Sequence, residues 1–152
     1  MKKILYIFYI ISVLYNTKAN AQIQNPVHWS YGLKKLAVGE YEVHFRALID
    51  TGWHIYAQKQ STDAIAIPTK ICFAKTPGLT LTGKPAELGK KEKYTVKEVG
   101  VNNMEYSNKV DFVQRVHIES RLKEIKGSIT FQSCTHKMCL PANTIDFCIP
   151  VP

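Results

Sequence analysis

The chain has 152 residues, a formal net charge of +8 and four cysteines. That length suits one domain with a real core. The basic excess gathers in Lys84, Lys90, Lys91, Lys93 and Lys97 with only Tyr94 among them, so a nucleic-acid surface, which needs interleaved aromatics, is not expected. Phosphate-binding glycine loops, G-x-S-x-G elbows and H-E-x-x-H helices are absent from the sequence.

In chain order, the N-terminus reads first as an export signal. Met1-Lys2-Lys3 is a basic start, and the apolar run 4–15 follows, broken only by Ser12. Ala19-Asn20-Ala21 then supplies an A-x-A cleavage signal. The expected division is a signal peptide at 1–21 and one domain at 22–152. The 12-residue apolar run is too short to span a bilayer comfortably, and no later segment is apolar for longer. Removal of Lys2, Lys3 and Lys18 lowers the net charge from +8 to +5. The product is expected to be soluble and exported, in the periplasm or an equivalent compartment.

Beyond the signal, alternation dominates. Residues 41–49 place Tyr41, Val43, Phe45, Ala47 and Ile49 on one face, as a half-buried strand requires. Residues 109–118 do the same with Val110, Phe112, Val116 and Ile118, Gln114 being the exception. Ile129 and Phe131 share a face, as do Ile145, Phe147 and Ile149. Shorter strands are predicted at 27–31, 53–57, 69–73 and 79–82. Turns fall between them, at Val38-Gly39, Asp50-Thr51-Gly52, Thr76-Pro77-Gly78 and Lys126-Gly127. Residues 84–104 read as a long irregular stretch, and 121–125 as at most one helical turn. The pattern predicts an all-β fold, an immunoglobulin-like β-sandwich of about seven or eight strands.

The cysteines are Cys72, Cys134, Cys139 and Cys148, which allow three complete pairings. A Cys134–Cys139 bond closes a loop worth about 2 kcal/mol in the chain-entropy picture, whereas Cys72–Cys148 would contribute about 4.5 kcal/mol. The second pairing is therefore the candidate structural disulfide, and two covered thiols are its alternative. Cys134 and Cys139 flank a tight turn containing His136 and Lys137, cations that favour thiolate over thiol. An exposed disulfide of this kind exchanges readily. Three readings stay open on the residues alone. One is thiol–disulfide exchange, another is a non-enzymatic β-sandwich binding module with structural disulfides. The third is a Cu(I)-handling module using Cys134, His136, Met138 and Cys139.

The segment Phe131-Gln132-Ser133-Cys134-Thr135-His136-Lys137-Met138-Cys139-Leu140-Pro141 resembles the active-site segment of the N-terminal periplasmic domain of DsbD, the thiol:disulfide interchange protein. Gly52-Trp53-His54-Ile55-Tyr56-Ala57 is similar to that family's glycine-led aromatic strand, and 106–116 resembles its strand after the cap loop. The resemblance implies an immunoglobulin-like sandwich in stand-alone form, acting as a protein-disulfide-reductase-type electron-transfer domain. It implies that Cys139 forms the intermolecular bond and Cys134 resolves it, with His54 and Tyr56 beside the pair. The implied donor is a membrane-embedded or thioredoxin-like dithiol in a separate protein. The implied acceptor is a periplasmic disulfide isomerase or a thioredoxin-like protein of cytochrome maturation. No cofactor and no resident metal are implied. The family's cap loop carries a phenylalanine; the corresponding residues here leave Val99 or Val101 as a smaller lid.

Overall fold

Apolar alternation sets the centre of the molecule. In the computed structural model, which describes residues 25–152 except 63 and 98, the strands are β1 (Val27–Lys35), β2 (Glu40–Ile49), β3 (His54–Tyr56), β4 (Lys70–Phe73), β5 (Leu79–Val96), β6 (Val101–Ile118), β7 (Glu124–Phe131), β8 (Ser133–Cys134) and β9 (Asn143–Pro150). The expected signal at 1–21 lies outside the described residues. All strand pairs are antiparallel. One sheet has the order β1-β2-β6-β3-β8 with β5 on the other edge of β6; the second has the order β4-β7-β9. The architecture is the immunoglobulin-like sandwich expected, with nine strands among the described residues.

The alternating faces meet between the sheets. Val43, Phe45 and Ala47 of β2 are fully buried, as are Phe112 and Val116 of β6 and Ile125 and Ile129 of β7. Aromatic contacts cross the gap: Phe45 lies 4.8 Å from Phe147 and Trp29 lies 5.3 Å from Phe131, both between ring centroids. Each such buried ring contributes about 1.5–3 kcal/mol through area removed from water. Gly127 permits part of this packing. A Cβ there would come within 2.4 Å of the Phe147 ring and 2.1 Å of the Cys72 carbonyl oxygen, so no side chain fits.

Residues 84–104 are not the irregular stretch expected. They form most of a long hairpin, β5 turning into β6. Register shifts between Thr82 and Ala86, and between Gly89 and Lys91, break the alternation that would have marked the strand. β5 also lies at a sheet edge, where lysines discourage pairing with other chains. The first shift accounts for Gln114. Its amide, 1% exposed, donates to the Thr82 carbonyl at 2.9 Å and to the Arg115 carbonyl at 2.8 Å, so the interruption opposite supplies its partner. Residues 121–125 form no helix; β7 begins at Glu124.

At the second shift, three residues of β6 (107–109) oppose Lys90 alone. Asn108 takes a left-handed backbone with φ 64°, a conformation that asparagine tolerates better than most residues. This bulge divides β6. Residues beyond it pair with β2, from Lys109 to His117, while Glu105, Tyr106 and Ser107 pair with β3. The distal half of the hairpin thereby carries one wall of the candidate site.

Candidate functional site

Three short elements build the site. Gly52, with φ 84°, turns the chain after β2, and the Trp53 N–H donates to the Asp50 carbonyl at 3.0 Å. β3 then runs between β6 and β8, and all three of its residues are buried. The segment after β3 is tied down by polar side chains. Gln60 donates to the Met104 carbonyl at 2.7 Å and accepts from the Met104 N–H at 2.8 Å, acting as a strand partner for β6. Thr69 donates to the Tyr56 carbonyl at 2.6 Å. The Glu87 carboxylate accepts from the Gln58 N–H at 2.6 Å and from the Tyr106 hydroxyl at 2.9 Å. Burial pushes the Glu87 carboxyl up, but Lys91, Gln58 and Tyr106 outweigh it and hold it below its ordinary value.

Opposite His54 in the register sits Cys134 of β8. The chain then turns over Thr135 to Met138. The Thr135 N–H donates to the Met138 carbonyl at 2.8 Å, and the Thr135 hydroxyl accepts from the Lys137 and Met138 N–H groups at 3.2 and 3.1 Å. The Leu140 N–H returns to the Ser133 carbonyl at 2.9 Å, and Gln132 donates to the Leu140 carbonyl at 3.1 Å. Across this turn Cys134 and Cys139 form a disulfide. The two sulfurs differ in access: Cys134 is 0% exposed, whereas Cys139 is exposed. The Tyr56 hydroxyl lies 3.8 Å from the Cys139 Sγ.

Around the disulfide, aromatic and ionisable groups converge. The His54 ring is 5.4 Å from Tyr56 and 5.6 Å from His136, and Tyr94 lies 4.8 Å from His136. The His54 Nε2 is 3.3 Å from the Glu105 Oε2, yet that oxygen has no partner with hydrogen-bond geometry. Burial, followed by the charge of His136, lowers the His54 pKa to about 4. Burial also raises the Glu105 carboxyl; His136 opposes this and Glu92 reinforces it. Burial, then Glu105 and Tyr94, raises the Tyr56 hydroxyl.

Of the residues singled out in the sequence, Cys134, Cys139, His54, Tyr56 and His136 come together. Lys137 is exposed in the turn between the cysteines. Val99 is exposed in the turn joining β5 to β6, and Val101 opens β6 opposite Val96. Cys72 and Cys148 are not bridged; both are free and exposed. They occupy β4 and β9, on either side of β7. Strands two apart are separated by about 10 Å, beyond the reach of a disulfide. Because the Cys134–Cys139 bond engages both sulfurs, the Cu(I) ligand set is not assembled in this form.

Two members of the site were not singled out. Tyr94 read as one aromatic in a lysine-rich stretch; within β5 it is half-buried and covers His136. Glu105 is 4% exposed, which its residue type gives no reason to expect. Alternation gives no signal for it either, since the adjacent Tyr106 is buried as well.

The family described as "Thiol:disulfide interchange protein DsbD, N-terminal" matches residues 19–149. Among solved structures, the N-terminal periplasmic domain of ScsB from Proteus mirabilis superimposes with a TM-score of 0.59 at 12% identity, covering 87% of this chain. This chain spans 48%, about half, of that one. The N-terminal domain of Neisseria meningitidis DsbD in the reduced form gives a TM-score of 0.52 at 18% identity, covering 81% of this chain and 85% of that one. The complex of the Neisseria meningitidis DsbD and PilB N-terminal domains gives 0.51 at 18%, covering 86% and 88%. These structures share the fold. No curated protein matches the sequence.

Proposed function

The chain belongs to the DsbD N-terminal family, and from that membership we propose that it relays reducing equivalents to partner proteins outside the cytoplasm through Cys134 and Cys139. The observation that carries the reading is the unequal access of the two joined sulfurs. Exchange requires one sulfur that a partner can reach and a second thiolate held close to it.

The cycle balances in three steps. A donor dithiol supplies two electrons and two protons, opening the disulfide to two thiols. The Cys139 thiolate attacks one sulfur of the acceptor's disulfide, forming a mixed disulfide and expelling the acceptor's other sulfur as a thiolate. Cys134, deprotonated, attacks the Cys139 sulfur. The Cys134–Cys139 bond re-forms and the acceptor leaves as a dithiol. Tyr56 stands where its hydroxyl can donate to the Cys139 thiolate. The hydrogen-bonded turn keeps Cys134 within reach for the third step.

The proposed acceptor is a thioredoxin-like protein or disulfide isomerase, and the donor a separate membrane-embedded or thioredoxin-like dithiol. The complex of the Neisseria relative with a PilB domain supports protein partners of this kind. The proposed periplasmic setting is supported by the export-signal pattern expected at residues 1–21 and by the ScsB relative, which is a periplasmic domain. No helix among the described residues is long and apolar enough to cross a membrane.

Partner trapping tests the proposal. A Cys134→Ala variant, lacking the resolving thiol, is expected to accumulate reductant-sensitive adducts on Cys139 in cell extracts, and Cys139→Ala none. Equal adducts from both variants, or none from either, would overturn it. A disulfide potential well below about −300 mV would instead mark a structural bond.

A further inference from the structure

We propose that His54, Glu105 and His136 form a binding site for a divalent metal ion of the zinc type, beside the disulfide but chemically separate from it. The three residues each offer one ligand atom, and these atoms lie within 4.8 Å of one another. Two imidazoles and one carboxylate are a ligand set suited to borderline ions such as Zn2+.

The second observation is the state of Glu105. Its side chain is 5% exposed, and its Oε2, pointing to His54, has no hydrogen-bond partner. Burying a carboxylate oxygen without a hydrogen-bond partner is costly. Glu92 stands directly opposite it across the β5–β6 pair, adding like charge. A bound cation relieves both.

Geometry fits the ion. Ligand atoms about 2.1 Å from a tetrahedral centre lie about 3.4 Å apart. The His54 Nε2 and Glu105 Oε2 are already 3.3 Å apart. His136, exposed on the turn, offers the third ligand atom, within 4.8 Å of the other two. Three protein ligands leave a fourth tetrahedral position open, so the site would hold an ion with a water or another small ligand. His136 sits inside the loop closed by the disulfide, so the ion would lie at the surface that partners approach.

The test uses Zn2+ itself and the oxidised protein. Cys72 and Cys148 are replaced by serine, since both are exposed thiols and would bind zinc themselves. Calorimetric titration is expected to show one Zn2+ per chain. Glu105→Gln, which keeps the shape of the side chain, and His136→Ala, at an exposed position, are each expected to weaken binding at least tenfold. Absence of Zn2+ binding, or binding that either variant leaves unchanged, would overturn the site. Because the disulfide stays closed throughout, the result is independent of whether the cysteines exchange with partners.

Discussion

At the scale of single residues, the site holds two buried ionisable groups whose pH responses oppose each other. His54 is driven down to about 4, first by burial and then by His136. As pH falls below about 6.5 the unfolded chain takes up its proton before the folded one does. Stability from neutral His54 is therefore complete above that pH and is lost on the way down to about 4, by no more than about 3 kcal/mol. Glu105 works the other way. Its carboxyl is raised in the folded state, by burial first. The unfolded chain ionises first as pH rises, so this contribution is lost as pH climbs through the folded value. The variants separate the two in chelator-treated buffer. His54→Gln is expected to be more stable at pH 5 than at pH 7, relative to the parent protein, whereas Glu105→Gln is expected to lose stability over the same descent. Urea midpoints at the two pH values measure it. Equal slopes in both variants would refute the assignment.

At the scale of elements, the bulge at 107–109 decides where the site falls. Asn108 holds φ 64° at the point where β6 passes from β2 to β3. Asn108→Gly removes the steric cost and is expected to leave stability nearly unchanged. Asn108→Val forces a β-branched residue into a left-handed backbone and should cost about 1–3 kcal/mol. Hydrogen exchange at the amides of β3 is expected to quicken in the valine variant, because β3 pairs with β6 immediately beyond the bulge. Unchanged urea midpoints in Asn108→Val would show that the bulge does not hold the hairpin. The same bulge explains which parts of the fold were legible in the sequence. Strands with one dry and one wet face, such as β2 and the half of β6 beyond Lys109, repeat with period two and read directly. β5 lies at an edge, shifts register twice and keeps most of its side chains wet, so it carries no such signal. Glu105 and Tyr106 are adjacent and both buried, because both faces of the sheet are covered there, as they are along β3, and alternation then carries no signal. The cysteine pair was readable from spacing and context. The placing of His54 and Tyr56 beside it came from the resemblance of the Gly52-Trp53-His54-Ile55-Tyr56-Ala57 strand, because pairing across distant strands leaves no local mark.

At the scale of the whole molecule, an exchange domain must survive the opening of its own disulfide. The core here does not run through that bond. Phe45 and Phe147, and Trp29 and Phe131, join the two sheets, and the core cluster they pack in includes neither Cys134 nor Cys139. The site is carried by β3 and the distal half of β6, held by backbone pairing and by Gln60, Thr69 and Glu87. The turn also has Thr135 and Leu140 backbone hydrogen bonds, in which the sulfurs take no part. Closing so small a loop is worth about 2 kcal/mol, a fraction of the roughly 5–15 kcal/mol typical of a folded domain. Reduction by dithiothreitol is therefore expected to lower the unfolding free energy by no more than about 2 kcal/mol and to leave a single cooperative transition. Because Cys72 and Cys148 are already free, reduction changes no other bond, and the difference reports on Cys134–Cys139 alone. Urea unfolding followed by tryptophan fluorescence, with and without reductant, measures it. Loss of cooperativity on reduction would identify the bond as a staple, and the unequal exposure of its sulfurs would then have no bearing on exchange.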